Sequence, residues 1–257
     1  MDIAVILRQV PDTEAVIVVH PDNQAHILED DIKWIMNPYD EFAVEAAVSL
    51  AEENDGEVTA VCIGRDDAEQ VIRTAMAMGV DKGILINDED LVSLDIISQA
   101  SILATLLKEE SPDLILCGRE FIDTGDDALG AALAEFLGMP HVLNVNALEL
   151  QDESLQVERE IDGGNLKIQM ELPGVISCQK GLNEPRYPNL MAVRRARSKP
   201  LDIKTLEDLG MDMPDPKSRI MELVPPPPRA AGRIVDDEPE AAARQAADWL
   251  ENEARAF

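Results

Sequence analysis

The groups in this 257-residue chain best placed to do chemistry are backbone amides where short apolar strands give way to helices. Four segments answer that description: Ile6 to Pro11, Asn37 to Asp40, Ile63-Gly64, and Gly118 to Gly130. Amides at a helix start lack intrahelical partners and favour anions, so the chemistry they offer is phosphate binding. None of the four is a GxGxxG or Walker sequence, and composition alone makes this a weak nucleotide signal. The side chains add no catalytic group. His20, His26 and His141 have neither ligand nor triad spacing. Cys62, Cys117 and Cys178 are odd in number, lack CxxC spacing and sit in apolar runs, which reads as structural burial and not as a disulfide or metal framework. No paired carboxylate, Ser/His or Cys/His constellation stands out, so the chain is not expected to be an enzyme by itself.

Positioning those segments takes an alternation of strands and helices. Apolar runs predict strands over Asp2 to Leu7, Glu57 to Ile63, Gly83 to Ile86 and Asp113 to Cys117. Helices are predicted from Asn37-Pro38, over Asp66 to Met78 with Gly79 as C-cap, over Leu94 to Leu107, and over Asp126 to Leu137 with Asp126 as N-cap. Ala15 to Leu28 reads as a hairpin excursion. Parallel strands need crossovers of this length, so the fold class is α/β, a doubly wound and mostly parallel sheet. In such sheets the ligand crevice lies at the carboxyl ends of the strands. Val142 to Ile176 switches to hairpin-like patterning and predicts added antiparallel strands at an edge. Residues 1–200 form the α/β domain. Residues 201–257, with prolines at Pro225 to Pro228 and a terminal helix from about Glu238 to Ala256, read as an extended arm that wraps a second subunit.

The stretch from Val157 to Tyr187 is the most distinctive. Asp162-Gly163-Gly164 supplies a tight reversal, Leu166, Ile168, Met170 and Leu172 alternate as a half-buried strand, Pro173 ends the ladder, and Val175-Ile176 restarts a buried strand. Leu182, Asn183, Glu184, Pro185, Arg186 and Tyr187 then form a proline-stiffened charged loop suited to meeting a partner. The V-x-R-x-x-D-G-G turn, the P-x-V-I-S strand and the L-N-E-P-R-Y loop together resemble the signature of the beta subunit of electron transfer flavoproteins. Leu166 departs from the Glu or Gln usual there. Met36-Asn37-Pro38 and the run Ile72 to Gly79 also match, and the likeness extends to about Pro200.

The resemblance implies a heterodimer with an alpha subunit that holds most of the redox-active FAD, with Gln9 to Thr13 nearest to that flavin. It implies that the loop from Leu182 to Tyr187 docks flavin dehydrogenases such as acyl-CoA dehydrogenases, Leu182 entering an apolar pocket, with electrons passing on to a membrane quinone oxidoreductase. By position, Ile6, Asn37, Pro38, Tyr39, Asp40 and Ile63 would surround an adenosine moiety, and the loop Gly118, Asp123, Thr124, Gly125, Asp126, Ala128, Leu129 and Gly130 would hold phosphate: AMP in the ordinary type, a second FAD in the bifurcating type. Asp126 stands where the family has a hydroxyl or thiol, and Ala128 replaces Gln. A carboxylate there repels phosphate, so AMP or FAD binding in this chain is expected to be weakened or lost, the diphosphate of FAD suffering more. The alternatives are a bifurcating subunit with its own FAD, and a non-redox adenine-nucleotide module.

Composition narrows the partners. The net charge is −29, spread along the chain, which repels nucleic acid and anionic membranes and resembles adaptation to high salt. Asp2 and Arg8 interrupt the start and no long apolar run follows, so no signal peptide or membrane insertion is expected and the chain reads as soluble and cytoplasmic. The basic cluster Arg194, Arg195, Arg197 and Lys199 is expected to steer acidic partners or to pair with acids of the alpha subunit.

Overall fold

A computed structural model describes residues 1–151, 154–229 and 231–255. Its nine-stranded sheet runs in the order β11-β5-β4-β1-β6-β10-β7-β8-β9. These strands are β1 (Asp2–Leu7), β4 (Glu57–Gly64), β5 (Lys82–Asn87), β6 (Leu114–Gly118), β7 (His141–Gln151), β8 (Ser154–Ile161), β9 (Gly164–Glu171), β10 (Gly174–Cys178) and β11 (Leu201–Lys204). From β11 to β7 every pairing is parallel, and β7, β8 and β9 add an antiparallel edge. The fold class is therefore α/β with a mostly parallel sheet, as the alternation predicts. A second small sheet pairs β2 (Gln9–Pro11) with β3 (Trp34–Met36).

Helices cover both faces because the central strands are apolar on both sides. Ile3, Val5 and Leu7 of β1 face α1 (Pro38–Glu53) and α2 (Glu69–Met78), and Ala4 and Ile6 face α3 (Ile96–Glu110) and α4 (Leu129–Leu137). Cys62, Cys117 and Cys178 are all free and fully buried, as expected of structural cysteines. Burial pushes the Cys62 thiol up to about 12 and raises those of Cys117 and Cys178 as well.

Several expectations need correction. The fourth helix starts at Leu129 and not at Asp126. Phe121 N–H donates to the Asp126 carbonyl and Gly125 N–H to the Phe121 carbonyl, so this stretch closes on itself as a turn, and Asp126 does not cap the helix. The strand at Val175-Ile176 lies inside the sheet, between β6 and β7. The arm begins later than residue 201, because Leu201–Lys204 pair with β5 and Leu206 and Leu209 are buried. A short helix, α5 (Leu190–Ala196), was not foreseen. The excursion at 15–28 does turn back on itself as a short hairpin, with an antiparallel bridge from Val19 to Ile27 and Val16 left 84% exposed. Lys199 turns inward: its Nζ donates to the carbonyls of Met76, Gly79 and Val80 at the C-terminal end of α2, where a cation complements unpaired carbonyls. The terminal helix α6 (Pro239–Asp248) runs on as a π turn over Trp249–Glu253, and Ala256 lies outside the described residues.

The tightest junction for the crevice is the end of β6. A Cβ on Gly118 would sit 2.2 Å from an Asp40 carboxylate oxygen and 2.9 Å from the Asp40 nitrogen. Gly118→Ala is expected to cost about 1–3 kcal/mol, read as a lower urea midpoint at an unchanged slope. An unaltered midpoint would mean that β6 and α1 do not meet this closely.

Candidate functional site at the carboxyl ends of the strands

The strand order reverses beside β1, which is flanked by β4 on one side and β6 on the other. Crossovers leaving in opposite directions open a crevice there. An open cleft occupies it, lined among others by Ile6, Arg8, Ile63, Arg65, Gln99, Phe121 and Leu129.

Arg8, which lines the cleft, is tied through its backbone to a buried polar knot. Asp40, in the first turn of α1, is fully buried. One of its carboxylate oxygens accepts from Asn37 Nδ2 at 2.9 Å and from Gly118 N–H at 3.1 Å, and the other accepts from Arg8 N–H at 2.8 Å. Asn37, equally buried, precedes α1 without capping it through its side chain. Its Nδ2 also donates to the Glu120 carbonyl, and its Oδ1 accepts from Ile122 N–H. Two residues of one turn thus hold the ends of β1 and β6 and the start of the 118–130 loop. Burial pushes the Asp40 carboxyl up to about 7, against the three N–H donors that favour its charged form.

The cleft itself carries a cation. The Arg8 guanidinium lies 4.5 Å from the centre of the Phe121 ring. Its Nη2 and Nε donate to Asp123 at 2.9 and 3.3 Å, and its Nη1 to Gln99 Oε1 at 3.4 Å. Gln99 is buried, and its amide nitrogen is anchored by the Leu94 carbonyl at 2.9 Å.

Of the adenosine-site residues expected from position, Ile6 and Ile63 line the cleft, Pro38 and Tyr39 are half-buried at the start of α1, and Asn37 and Asp40 form the buried knot. In the loop, Leu129 lines the cleft, Asp123 meets Arg8, and Thr124 Oγ1 accepts from Asp126 N–H at 3.4 Å. Gly125 has a positive φ of 71° with no heavy atom near a would-be Cβ. Ala128 precedes α4, and Gly130 packs against Leu143, Cys117 and Ser177. Sequence reasoning missed Arg8, Gln99 and Phe121 as one group. The available signal was a cation directly after the first apolar strand; the contacts with Gln99 and Asp123, 91 and 115 residues away, leave no local trace.

The loop from Leu182 to Tyr187, expected to meet a partner, lies elsewhere, against α1. Arg186 donates from Nε to Glu45 at 2.9 Å and from Nη1 to Glu52 at 2.7 Å, and its backbone N–H donates to Glu45 at 2.9 Å. Asn183 Nδ2 donates to the Phe42 carbonyl at 2.9 Å. Leu182 is half-buried against the core, Pro185 is also half-buried, Glu184 faces solvent and Tyr187 is 97% exposed.

Fold and crevice define a doubly wound α/β protein with an open cleft at its switch point. The family model described as electron transfer flavoprotein domain matches residues 24–209. The chain is 38% identical over 258 residues to the electron transfer flavoprotein subunit beta of Bacillus subtilis, covering 99% of both chains. It is 36% identical to the protein of that name in Homo sapiens, over 91% of this chain and 92% of the relative. This chain belongs to the electron transfer flavoprotein beta-subunit family.

The Asp40 knot has a pH signature. Its folded-state pKa of about 7 lies above the free value of 3.8, so the folded protein holds the proton more tightly. The associated stability is fully present below pH 3.8 and is lost as pH rises through about 7. Relative to Asp40→Asn, the native protein is expected to lose roughly 1.4 kcal/mol per pH unit across that window, read from urea unfolding at a series of pH values. Parallel pH profiles would mean that Asp40 ionises normally.

Proposed function

We propose that this chain is the docking and shielding half of a heterodimeric electron carrier whose alpha subunit holds the redox-active FAD. Its segment Gln9 to Thr13 covers one side of that flavin. Its loop Leu182 to Tyr187 receives flavin dehydrogenases, acyl-CoA dehydrogenases among them, and electrons pass on towards a membrane quinone oxidoreductase. The observation that carries the docking role is the loop's construction. Two glutamates of α1 clamp Arg186, so the turn is fixed before any partner arrives, while Tyr187 stands 97% exposed beside it. An aromatic side chain presented on a fixed turn binds at a lower entropic cost than one on a loop that must first be ordered.

The lining of the cleft suits an adenine mononucleotide: Ile6, Ile63 and Leu129 offer apolar walls to a base, and Arg8 offers a cation to a phosphate. FAD, when bound by the partner, supplies the electron chemistry, while this chain's residues orient, exclude water and dock. No helix among the described residues is long and apolar enough to cross a membrane.

Co-purification with the alpha subunit at high salt, denaturation and chromatography of the released nucleotides is expected to yield one FAD and up to one AMP per heterodimer. Two FAD would make the complex bifurcating, and a chain that purifies without partner or flavin would overturn the reading. In the assembled heterodimer, Tyr187→Ala is expected to weaken reduction by a dehydrogenase about tenfold in apparent affinity, with the FAD content unchanged. Equal rates with every dehydrogenase offered would remove the docking role.

A further inference from the structure

The helix that follows the 182–187 loop is held in place by something other than packing. α5 has seven residues and buries one, Ala196, while Leu190 is 83% exposed and Met191 and Val193 also face solvent. So short a helix is marginal in water, and one buried methyl group does little to fix it. We propose that Arg73 and Lys199 are positioning residues for partner docking: they clasp the C-terminal end of α5 to α2 and so set the angle at which the helix carries its outward side chains on from the loop. The inference rests on the reading of the loop as a docking surface and names the two residues that hold the far end of that surface.

The clasp is reciprocal. Arg73 belongs to α2, and its Nη1 donates to the carbonyls of Ala196 at 3.0 Å and Lys199 at 2.9 Å, at the end of α5 and just past it. Lys199 reaches the other way: its Nζ donates to the carbonyls of Met76 at 3.1 Å, Gly79 at 3.2 Å and Val80, where α2 ends. Each cation thus serves carbonyls that lack helical partners, at the pole of the neighbouring helix where positive charge is favoured. Glu69, one turn before Arg73, accepts from its Nε at 2.9 Å and aims the guanidinium.

The near end of the segment is tied as well. Asn189 Oδ1 caps α5 by accepting from the N–H groups of Met191 and Ala192 at 3.0 Å, and Arg186 is clamped to Glu45 and Glu52 of α1. Residues 182–199 are therefore anchored at both ends by polar contacts, while Leu190, Met191, Arg194 and Arg195 between them remain exposed. A clasp that only supported the fold would act on stability. One that orients the helix acts on the encounter with a dehydrogenase, because a surface that must first be ordered binds more weakly, and it leaves electron transfer within the formed complex unchanged.

The test is steady-state reduction of the purified heterodimer by an acyl-CoA dehydrogenase with its acyl-CoA substrate, the heterodimer concentration being varied. Arg73→Gln and Lys199→Gln are each expected to raise the apparent KM for the heterodimer about tenfold, with kcat within about twofold and the FAD content unchanged. Arg73→Lys is expected to recover part of the loss, since a single nitrogen of Arg73 serves both carbonyls. Ala192→Gly, which loosens the helix and touches neither cation, is expected to raise KM in the same way. A loss of flavin, a fall in kcat matching the rise in KM, or no recovery with Arg73→Lys would make the clasp a support of the fold alone, and the proposal falls. If Arg73→Gln keeps the native KM while Tyr187→Ala raises it, the docking reading stands and the clasp falls; if neither variant changes KM, both fall together.

Discussion

A carboxylate sealed at the end of a parallel sheet is costly unless several donors converge on it, and at Asp40 they do. The β1 end contributes Arg8 N–H, the β6 end contributes Gly118 N–H, and Asn37 reaches in from the turn before α1. This gathering makes the crevice possible. Strands that feed helices on opposite faces diverge at the switch point, and something must hold their ends at a fixed spacing without filling the gap. Gly118 follows from the same constraint, because any Cβ would collide with the carboxylate. So does the course of the 118–130 loop, whose first residues hang from Asn37. Arg8 is fixed by its backbone to the knot, and its side chain reaches along the cleft to Asp123 and Gln99.

The chain's charge gives a second organising principle. With 51 acidic residues against 22 lysines and arginines, cations are scarce, and the structure spends several of them on internal clamps. Arg186 binds the 182–187 loop to α1, Lys199 closes the end of α2, and Arg73 holds the carbonyls of Ala196 and Lys199. The basic cluster of the sequence is thereby divided: Lys199 is internal, while Arg194, Arg195 and Arg197 face solvent. In the arm, Arg233 lies over Trp249 and pairs with Glu253, so even this segment uses an arginine to fold on itself. Screening by salt weakens the exposed pairs first and leaves the half-buried Arg186–Glu45 contact comparatively intact.

What the sequence disclosed follows from range. The first strand, the start of α1 at Pro38, the Gly79 cap and the turn at Asp162 and Gly163 are set by neighbours within a few residues, and all stand where pattern places them. The start of α4 depended on a turn closed by Phe121 and Asp126 backbone bonds, which no capping preference reveals. The edge pairing of β11 with β5 joins residues more than a hundred positions apart, so a proline-rich change of character was mistaken for the end of the domain. In the site the division is the same. The segments that line the cleft could be located by strand-end logic, while the roles of Asn37 and Asp40 as a buried knot and of Arg8 as a cleft cation needed three-dimensional partners.

The three cysteines, described above as core volume, have a practical side. Their thiols are fully buried and burial holds them protonated, and a thiolate is the form that alkylating reagents attack. The native chain is therefore silent toward maleimide labels without any cysteine having to be removed. One cysteine introduced at an exposed position, such as Ile234 on the arm, would be the single site to take a fluorophore or spin label. Movements of the arm could then be followed in the otherwise native chain.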